Sequence, residues 1–423
     1  MGTNAAEVNV LVAGGGIAGL ATAAAAAQRG IAVDVLEQAP EFAEIGAGIQ
    51  LGPNALRMLD RLGVLEAISP HAVYPRQGLL LDAVTGECLT RLDFGTEFQQ
   101  RYGYPYAVMH RSDLLDALLD ACSTNPLVTL HNAKEVVSVE APNGNPVVTC
   151  ADGTAFAAAA VIGADGIWSK VREHTVGVDE LVFAHHVAFR GTVPIDRVPD
   201  RAGDQTVMWW IGPKMHLMQY PIRAGGLLNQ VAVVEVDHFC PDDPHSTYVD
   251  DLEYRFSNKN PFVEAGVRLI SRDRRWLIYD KDPVDNWTRG RMTLVGDAAH
   301  PMLQYMAQGA CQALEDAVCI AEWLARHPDD VETAFRCYQQ ERLPRTTRVQ
   351  TWARYMAEIV HLDGVSAMLR DDLLRNRASD DFTYFDWLYS YDLALPSAAA
   401  EPSEPEVAAA STWVGNDCRG HGA

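Results

Sequence analysis

The sequence predicts an α/β fold: a Rossmann-like unit at the N-terminus, a second lobe of mostly antiparallel strands, and helices towards the C-terminus. Three observations carry that expectation. A strand, a glycine turn, a helix and a second strand follow one another over residues 8–38. The middle of the chain changes to short alternating strands with turns. Two further buried strands, AAVIGADG (159–166) and MTLVGDAAHP (292–301), each run into a glycine turn far from the first. A chain of 423 residues also exceeds the usual size of one hydrophobic core, so two lobes are expected.

VNVLVA (8–13) is a short apolar run rich in β-formers, and GGGIAG (14–19) follows it. LATAAAAAQRG (20–30) is Ala-rich, forms helix readily and stops at Gly30. IAVDVLEQ (31–38) alternates as a strand, which completes one βαβ unit. Gly14, Gly16 and Gly19 fit G-x-G-x-x-G in that context. Such glycines permit a tight turn, the close approach of a pyrophosphate and close packing of helix on strand. The helix N-terminus then offers free N–H groups to the phosphates. Glu37 lies 23 positions after Gly14, at the end of the second strand, where an acid binds a ribose hydroxyl.

A loop, EFAEIGAGIQLGPN (41–54), and a helix with apolar residues at helical spacing, ALRMLDRLGVLEAI (55–68), come next. QGLLLDAVTGECLTRLDF (77–94) and DQTVMWWIGPKMHLMQYPI (204–222) read as antiparallel strands with turns. A helix is expected from about Gly309 to Arg326, with further helices to about residue 376. PSAAAEPSEPEVAAAS (396–411) has the composition of a disordered tail. There is no internal repeat.

The formal net charge of −22 argues against nucleic acid or an anionic membrane surface as partner, because both need clustered Lys and Arg. The eight cysteines form no C-x-x-C pair, and no His cluster has metal-ligand spacing, so free thiols and no bound metal are expected. No basic segment precedes the first apolar run, and GGG breaks that run. The segment is therefore neither a signal peptide nor a membrane span, and a cytoplasmic protein is expected.

A simple NAD dehydrogenase continues βαβαβ after its first unit. This chain instead enters GAGIQLGPN and a mixed β region, as FAD-binding chains do when their sheet is built from distant segments. GADGIWSKVR (163–172) holds Asp165, Gly166, Ser169 and Arg172, and GDAAHP (296–301) holds Asp297. Together with HRSDL (110–114), these motifs resemble the class A flavoprotein aromatic hydroxylases over roughly residues 8–390.

The resemblance implies a GR2-type FAD-binding domain in three segments (1–72, 101–178, 284–350) and a β-sheet substrate domain in two (73–100, 179–283). A helical segment, 351–395, and a tail, 396–423, complete the chain. It further implies non-covalent FAD, NADH or NADPH as a transient electron donor, O2, and a small aromatic acid oxidised through a flavin C4a-hydroperoxide. A homodimer is left open. In this reading Glu37 holds the adenosine ribose, and Arg111 meets the FAD phosphate or ribitol region. Asp297 binds ribitol hydroxyls, and Asp165 with Gly166 serves FAD and the nicotinamide donor. Gly309 and Ala310 form the flavin loop. Family members often show G-Q-G-A-N there, whereas this chain has Ala307-Gln308-Gly309-Ala310-Cys311. A helix N-terminus aimed at reduced, anionic flavin fits a loop poor in charge.

On the substrate side, His216 and Tyr220 are four residues apart on an apparent strand, so both lie on one face. That segment, with MLQYMAQGA (302–310), resembles the 3-hydroxybenzoate 6-hydroxylases, with the salicylate hydroxylases as near relatives. The resemblance implies that His216, Tyr220 and Gln304 line the site over the flavin. The chemistry agrees. A phenol attacks an electrophilic oxygen best as phenolate, its pKa is near 10, and ionising it near pH 7 costs roughly 4 kcal/mol. A histidine bonded to the hydroxyl can take that proton. His300 is a rival base, but its place beside Asp297 suits a role in the cofactor loop. Tyr106 and Arg190 are both candidates for the substrate carboxylate. A flavin reductase without oxygen chemistry predicts NADH oxidation with no hydroxylated product. The halogenase motif W-x-W-x-I-P is not matched by MWWIGP (208–213).

Overall fold

Three parallel strands place three glycine turns along one edge of a sheet. The strands Ala6–Ala13, Ala155–Gly163 and Met292–Leu294 lie side by side, and Val33–Leu36 and Val128–His131 extend the parallel part on the other flank. Val147–Cys150 and Val136–Glu140 complete the sheet antiparallel. Short backbone bonds align the turns: Ala164 N donates to Ala13 O at 2.7 Å, and Val295 N to Gly163 O at 2.9 Å. Ligands bind at the carboxyl ends of such strands. The computed structural model describes residues 6–42, 47–198, 205–237 and 248–393. The tail expected over 396–411 lies outside them.

The second sheet has seven strands in the order Trp276–Asp280, Val182–Pro194, Leu227–Glu235, Met215–Ile222, Thr206–Gly212, Gln77–Asp82 and Cys88–Asp93. It is antiparallel except where Thr206–Gly212 runs parallel to Gln77–Asp82. One face carries Met215, Leu217, Phe189 and Trp210 into a core closed by the helices Val249–Phe256 and Pro261–Arg268. His216, Met218 and Tyr220 alternate with Met215 and Leu217 and open on a cavity. A separate two-stranded ribbon pairs Gly48–Leu51 with Ala107–His110.

The helix Ile17–Ala27 is buried along nearly its whole length, and its run of Ala side chains lets neighbouring elements approach closely. It packs on Gly309–Arg326, which packs in turn on the 31-residue helix Val331–His361. The joint between these last two is ionic. Arg342 Nε donates to Asp316 Oδ1 at 2.8 Å, and Arg342 also pairs with Glu315. Arg345 grips both Glu315 oxygens, at 2.7 and 2.8 Å. Asp316 Oδ2 accepts from Gly296 N at 2.9 Å and from His300 Nε2 at 2.6 Å. Arg342, Glu315, Asp316 and His300 are 0% exposed. Burial alone would raise both carboxyls, but it is outweighed by Arg345 and Arg342 at Glu315, and by His300 and Arg342 at Asp316. Both groups are held below the usual carboxylate range.

Arg342→Met removes the guanidinium between Asp316 and Glu315, leaving Asp316 only His300 and Glu315 only Arg345 in a buried site, and should cost about 3–5 kcal/mol. Because the folded-state pKa values are depressed, this contribution is complete above the unfolded carboxyl range near pH 4 and is lost as pH falls below it. Denaturant titrations of both proteins at pH 7 and at about pH 2.5 should show a gap that narrows in acid. A gap under about 1 kcal/mol at pH 7 would deny the network its structural weight.

Candidate active site

A cavity of about 1120 Å³ runs from the first glycine turn to the inner face of the second sheet. Its floor is the row of turns. Gly14 has φ +110°, and a Cβ there would lie 2.3 Å from Ala164 O. A Cβ on Gly19 would lie 1.8 Å from Gly14 O, so that glycine allows the helix to meet the strand. Gly16 caps the helix Ile17–Ala27, and nothing lies within 4 Å of its Cβ position. That open point, at a helix N-terminus facing the cavity, suits a pyrophosphate. Glu37 Oε2 accepts from Gly15 N and Oε1 from Ala39 N, each at 2.8 Å, so the carboxylate braces the turn from behind and does not itself line the cavity.

The second turn divides its motif between two tasks. Gly166 and Ala164 line the cavity. The Asp165 carboxylate faces its own loop instead, accepting from Ser169 Oγ and from Lys170 N at 2.7 Å, the first backbone N–H of the helix Lys170–Thr175 that Ser169 caps. Burial raises the Asp165 pKa against the pull of these bonds. Arg172, 1% exposed, pairs with Asp179 and donates to the carbonyls of Ala298 and Ala299 at 2.9 and 2.7 Å. It therefore ties the second turn to the third.

In the third turn, Asp297 projects into the cavity, and among the described residues its carboxylate makes no hydrogen bond within the protein. It lies at the start of Gly309–Arg326, with Oδ1 3.7 Å from the Cβ position of Gly309. Gly309 and Ala310 line the cavity at that helix N-terminus, which has no acid in its first turn. Ala307 adopts φ 51° and ψ 38°, the left-handed conformation that favours glycine. Holding alanine there costs on the order of 1 kcal/mol. Cys311, in the place of Asn, is buried, and burial pushes its thiol up to about 12. The six cysteines among the described residues are free thiols.

His300 and Gln304 separate. His300 points away from the cavity to Asp316, whereas Gln304 lines the cavity and accepts from Arg190 NH2 at 2.9 Å. Arg190 also borders the cavity, and its Nε is buried with no acceptor. Burial lowers its pKa, against the pull of Tyr220. Arg111 borders the same cavity from the start of Arg111–Ser123. Tyr220 is 3% exposed, and burial raises its phenol well above its ordinary value. A Cβ on Gly48 would lie 2.5 Å from the Tyr220 ring, so the glycine makes room for that ring. Tyr106 OH donates to Gln50 Oε1 at 2.9 Å.

His216, 3% exposed, borders the cavity, and burial together with His186 pushes its ring pKa down to about 3. Its Nδ1 meets His361 Nε2 at 2.8 Å, and His361 Nδ1 meets His186 Nε2 at 2.9 Å. His186 Nδ1 meets Tyr305 OH at 3.0 Å. The sequence reading did not single out His186, His361 or Tyr305. His361 lies 145 residues from His216, on another element, so no local spacing marks the contact. Glu235 lies near the same rings, and one candidate ligand atom each from His186, Glu235 and His361 falls within 4.8 Å of the others. The His–His bond requires a proton between the rings, so this is a hydrogen-bonded cluster. Among the described residues no helix is long and apolar enough to cross a membrane.

Residues 7–353 match the FAD binding domain family. The chain is 39% identical over 399 residues to the 3-hydroxybenzoate 6-hydroxylase of Polaromonas naphthalenivorans, covering 93% of this chain and 98% of that one. It is 36% identical to the 3-amino-4-hydroxybenzoate 2-monooxygenase of Streptomyces cremeus, again over 93% and 98%. Among solved structures, a variant of Klebsiella pneumoniae HpxO complexed with FAD superposes with a TM-score of 0.81 at 26% identity, over 90% of this chain and 99% of that one.

If the Asp297 carboxylate accepts cofactor hydroxyls, Asp297→Ala should retain markedly less FAD after gel filtration, while keeping the wild-type far-UV circular dichroism. Equal FAD content in the two proteins would remove Asp297 from the cofactor site.

Proposed function

The chain belongs to the FAD binding domain family, and from that premise we propose that it hydroxylates 3-hydroxybenzoate to gentisate, with NADH or NADPH as electron donor and O2 as co-substrate. The open Gly16 turn, the unpaired Asp297 and the charge-poor helix start at Gly309 fit FAD, and the cavity is large enough for a cofactor and a small ring together. FAD, held there and reduced, would supply the electrons that turn O2 into an electrophilic oxygen donor.

The observation that carries the substrate reading is the pairing of a cation and a base on the inner face of one sheet. Arg190 lies on Val182–Pro194 and His216 on Met215–Ile222, with Leu227–Glu235 between them. Two strand spacings separate their backbones by about 10 Å. Register adds an offset along the strands, because Arg190 is in line with Val231 and Met218, and His216 with Val233 and Ala188. A benzoate with its hydroxyl meta to the carboxylate can address both groups at once. In an ortho isomer the two oxygens bond to one another and favour a single locus.

Arg190 is the better anchor for the carboxylate. Its Nε lacks an acceptor, and a charge-assisted bond to guanidinium is strong in a dry site. The Tyr106 hydroxyl is already donating to Gln50. Gln304 steadies Arg190, and Tyr220, packed against Gly48, sets the position of the ring. His216 takes the phenol proton at Nε2, since Nδ1 is bonded to His361. Gln304, a neutral amide, orients without exchanging a proton.

The test is product analysis across a panel of hydroxybenzoates, with NADH consumption followed in the same samples. 3-Hydroxybenzoate should give gentisate. Catechol and CO2 from salicylate, with no product from 3-hydroxybenzoate, would replace this reading with that of a salicylate hydroxylase. In the same assay His216→Ala should lower gentisate formed per NADH and raise H2O2, because losing the base costs about 10²–10⁴ in the step it serves. A ratio equal to wild type would remove His216 from the mechanism.

A further inference from the structure

His216 does not stand alone behind the cavity. Its Nδ1 meets His361 Nε2 at 2.8 Å, and His361 Nδ1 meets His186 Nε2 at 2.9 Å. His361 belongs to Val331–His361 and His186 to Val182–Pro194, so three elements converge to build one line of rings. The three rings are 3%, 5% and 7% exposed. On the far side lies Glu235, the cross-strand partner of His186. Its carboxylate is within 4.8 Å of the facing atoms of His186 and His361, pairs with Lys214 at 3.0 Å, and is 29% exposed. The line therefore runs from the cavity to a carboxylate that meets solvent. The other charge near His361 is Arg370, whose guanidinium is bonded to Asp371 and to the carbonyl of Ile359. Glu235 is the nearby group that accepts a proton.

We infer that His216, His361, His186 and Glu235, with the Tyr305 hydroxyl, form a proton wire that carries the phenolic proton of the substrate out of the cavity. This inference rests on the reading of His216 as the base.

Each neutral ring carries one proton, so the line has two polarities. In the receptive one, His216 Nδ1–H donates to His361 Nε2, and His216 Nε2 presents a lone pair to the cavity. The substrate O–H bond then breaks and an N–H bond forms at His216 Nε2. The His216 Nδ1 proton moves to His361 Nε2, the His361 Nδ1 proton to His186 Nε2, and the His186 Nδ1 proton leaves for the Glu235 carboxylate across the Tyr305 hydroxyl or one water. Glu235 releases it to solvent. Phenolate remains in the cavity, one proton has left, and every ring is neutral again with its tautomer reversed. Return of a proton along the same line resets it.

Three features favour this route over storage of the proton on His216. Burial holds all three rings far below the ordinary histidine range. A cation left on His216 would be enclosed beside two other imidazoles. The second ring nitrogen of His216 is already committed to an acceptor that can pass the proton on.

His361, His186 and Glu235 are positioning and relay groups that do not touch substrate, so the test reads proton transfer and not activity alone. His361→Gln keeps a polar side chain but cannot conduct a proton between its two ends. Glu235→Gln removes the terminal acceptor. Product formed per NADH is measured for wild type, both variants and His216→Ala, with 3-hydroxybenzoate and with ring-fluorinated analogues of falling phenol pKa. FAD absorbance normalises for folded, loaded protein. The wire predicts that both relay variants lower the ratio at least tenfold with 3-hydroxybenzoate. It also predicts that the deficit shrinks as the phenol becomes acidic enough to ionise unaided. A deficit that is the same for every analogue would mean a packing role and overturn the proposal, as would a wild-type ratio in both variants. If His216→Ala loses coupling while the relay variants do not, the wire fails and the base stands. If His216→Ala keeps its coupling, the underlying reading fails first.

Discussion

Glu315 and Asp316 lie side by side with 0% exposure, and Arg342 and Arg345 from the next helix neutralise them. Much of the site hangs from this buried joint. Asp316 reaches forward to Gly296 N and His300, so it sets the path of the turn that carries Asp297. Glu315 takes the Asn54 amide, which also bonds Gln308 just before the helix begins. Two acids one turn or more inside the helix thus position its N-terminus from behind, and the first turn itself carries no acid. Its open backbone N–H groups attract an anionic reduced flavin.

The stretch from Leu294 to Gln312 divides its polar residues accordingly. Asp297 faces the cavity, His300 faces the ionic joint behind it, and Gln304 turns towards Arg190. Adjacent positions in the sequence therefore serve three different neighbours. The turn that separates them includes Ala307 in a left-handed conformation, a local strain held in place by the packing on either side.

How much of this was readable beforehand follows from the range of each interaction. The βαβ unit, the glycine turns and the shared face of His216 and Tyr220 depend on spacing within a few residues, and period and glycine placement reveal them. The likeness to flavoprotein hydroxylases could be seen because its motifs are local too. The ionic joint and the line of histidines could not be. His361 reaches His216 across 145 residues, and Arg342 reaches Asp316 from a separate helix 26 residues away. Nothing in helical or strand period marks such a meeting. Asp165 shows the limit of motif reading from the other side: the residue is where the motif puts it, but its carboxylate holds Ser169 and the first N–H of the helix Lys170–Thr175 while the neighbouring Gly166 lines the cavity. Arg190 was one of two candidate anchors, and the buried Nε without an acceptor favours it over Tyr106.

The account stands on where a substrate ring lies between Arg190 and His216, and a structure of the FAD-loaded protein with 3-hydroxybenzoate measures that directly. It should place the phenol oxygen about 2.6–3.2 Å from His216 Nε2, with the carboxylate on the Arg190 guanidinium and Tyr220 against the ring. A ring bound the other way round, with its carboxylate beside His216 and its hydroxyl on Arg190, would contradict the assignment of anchor and base together.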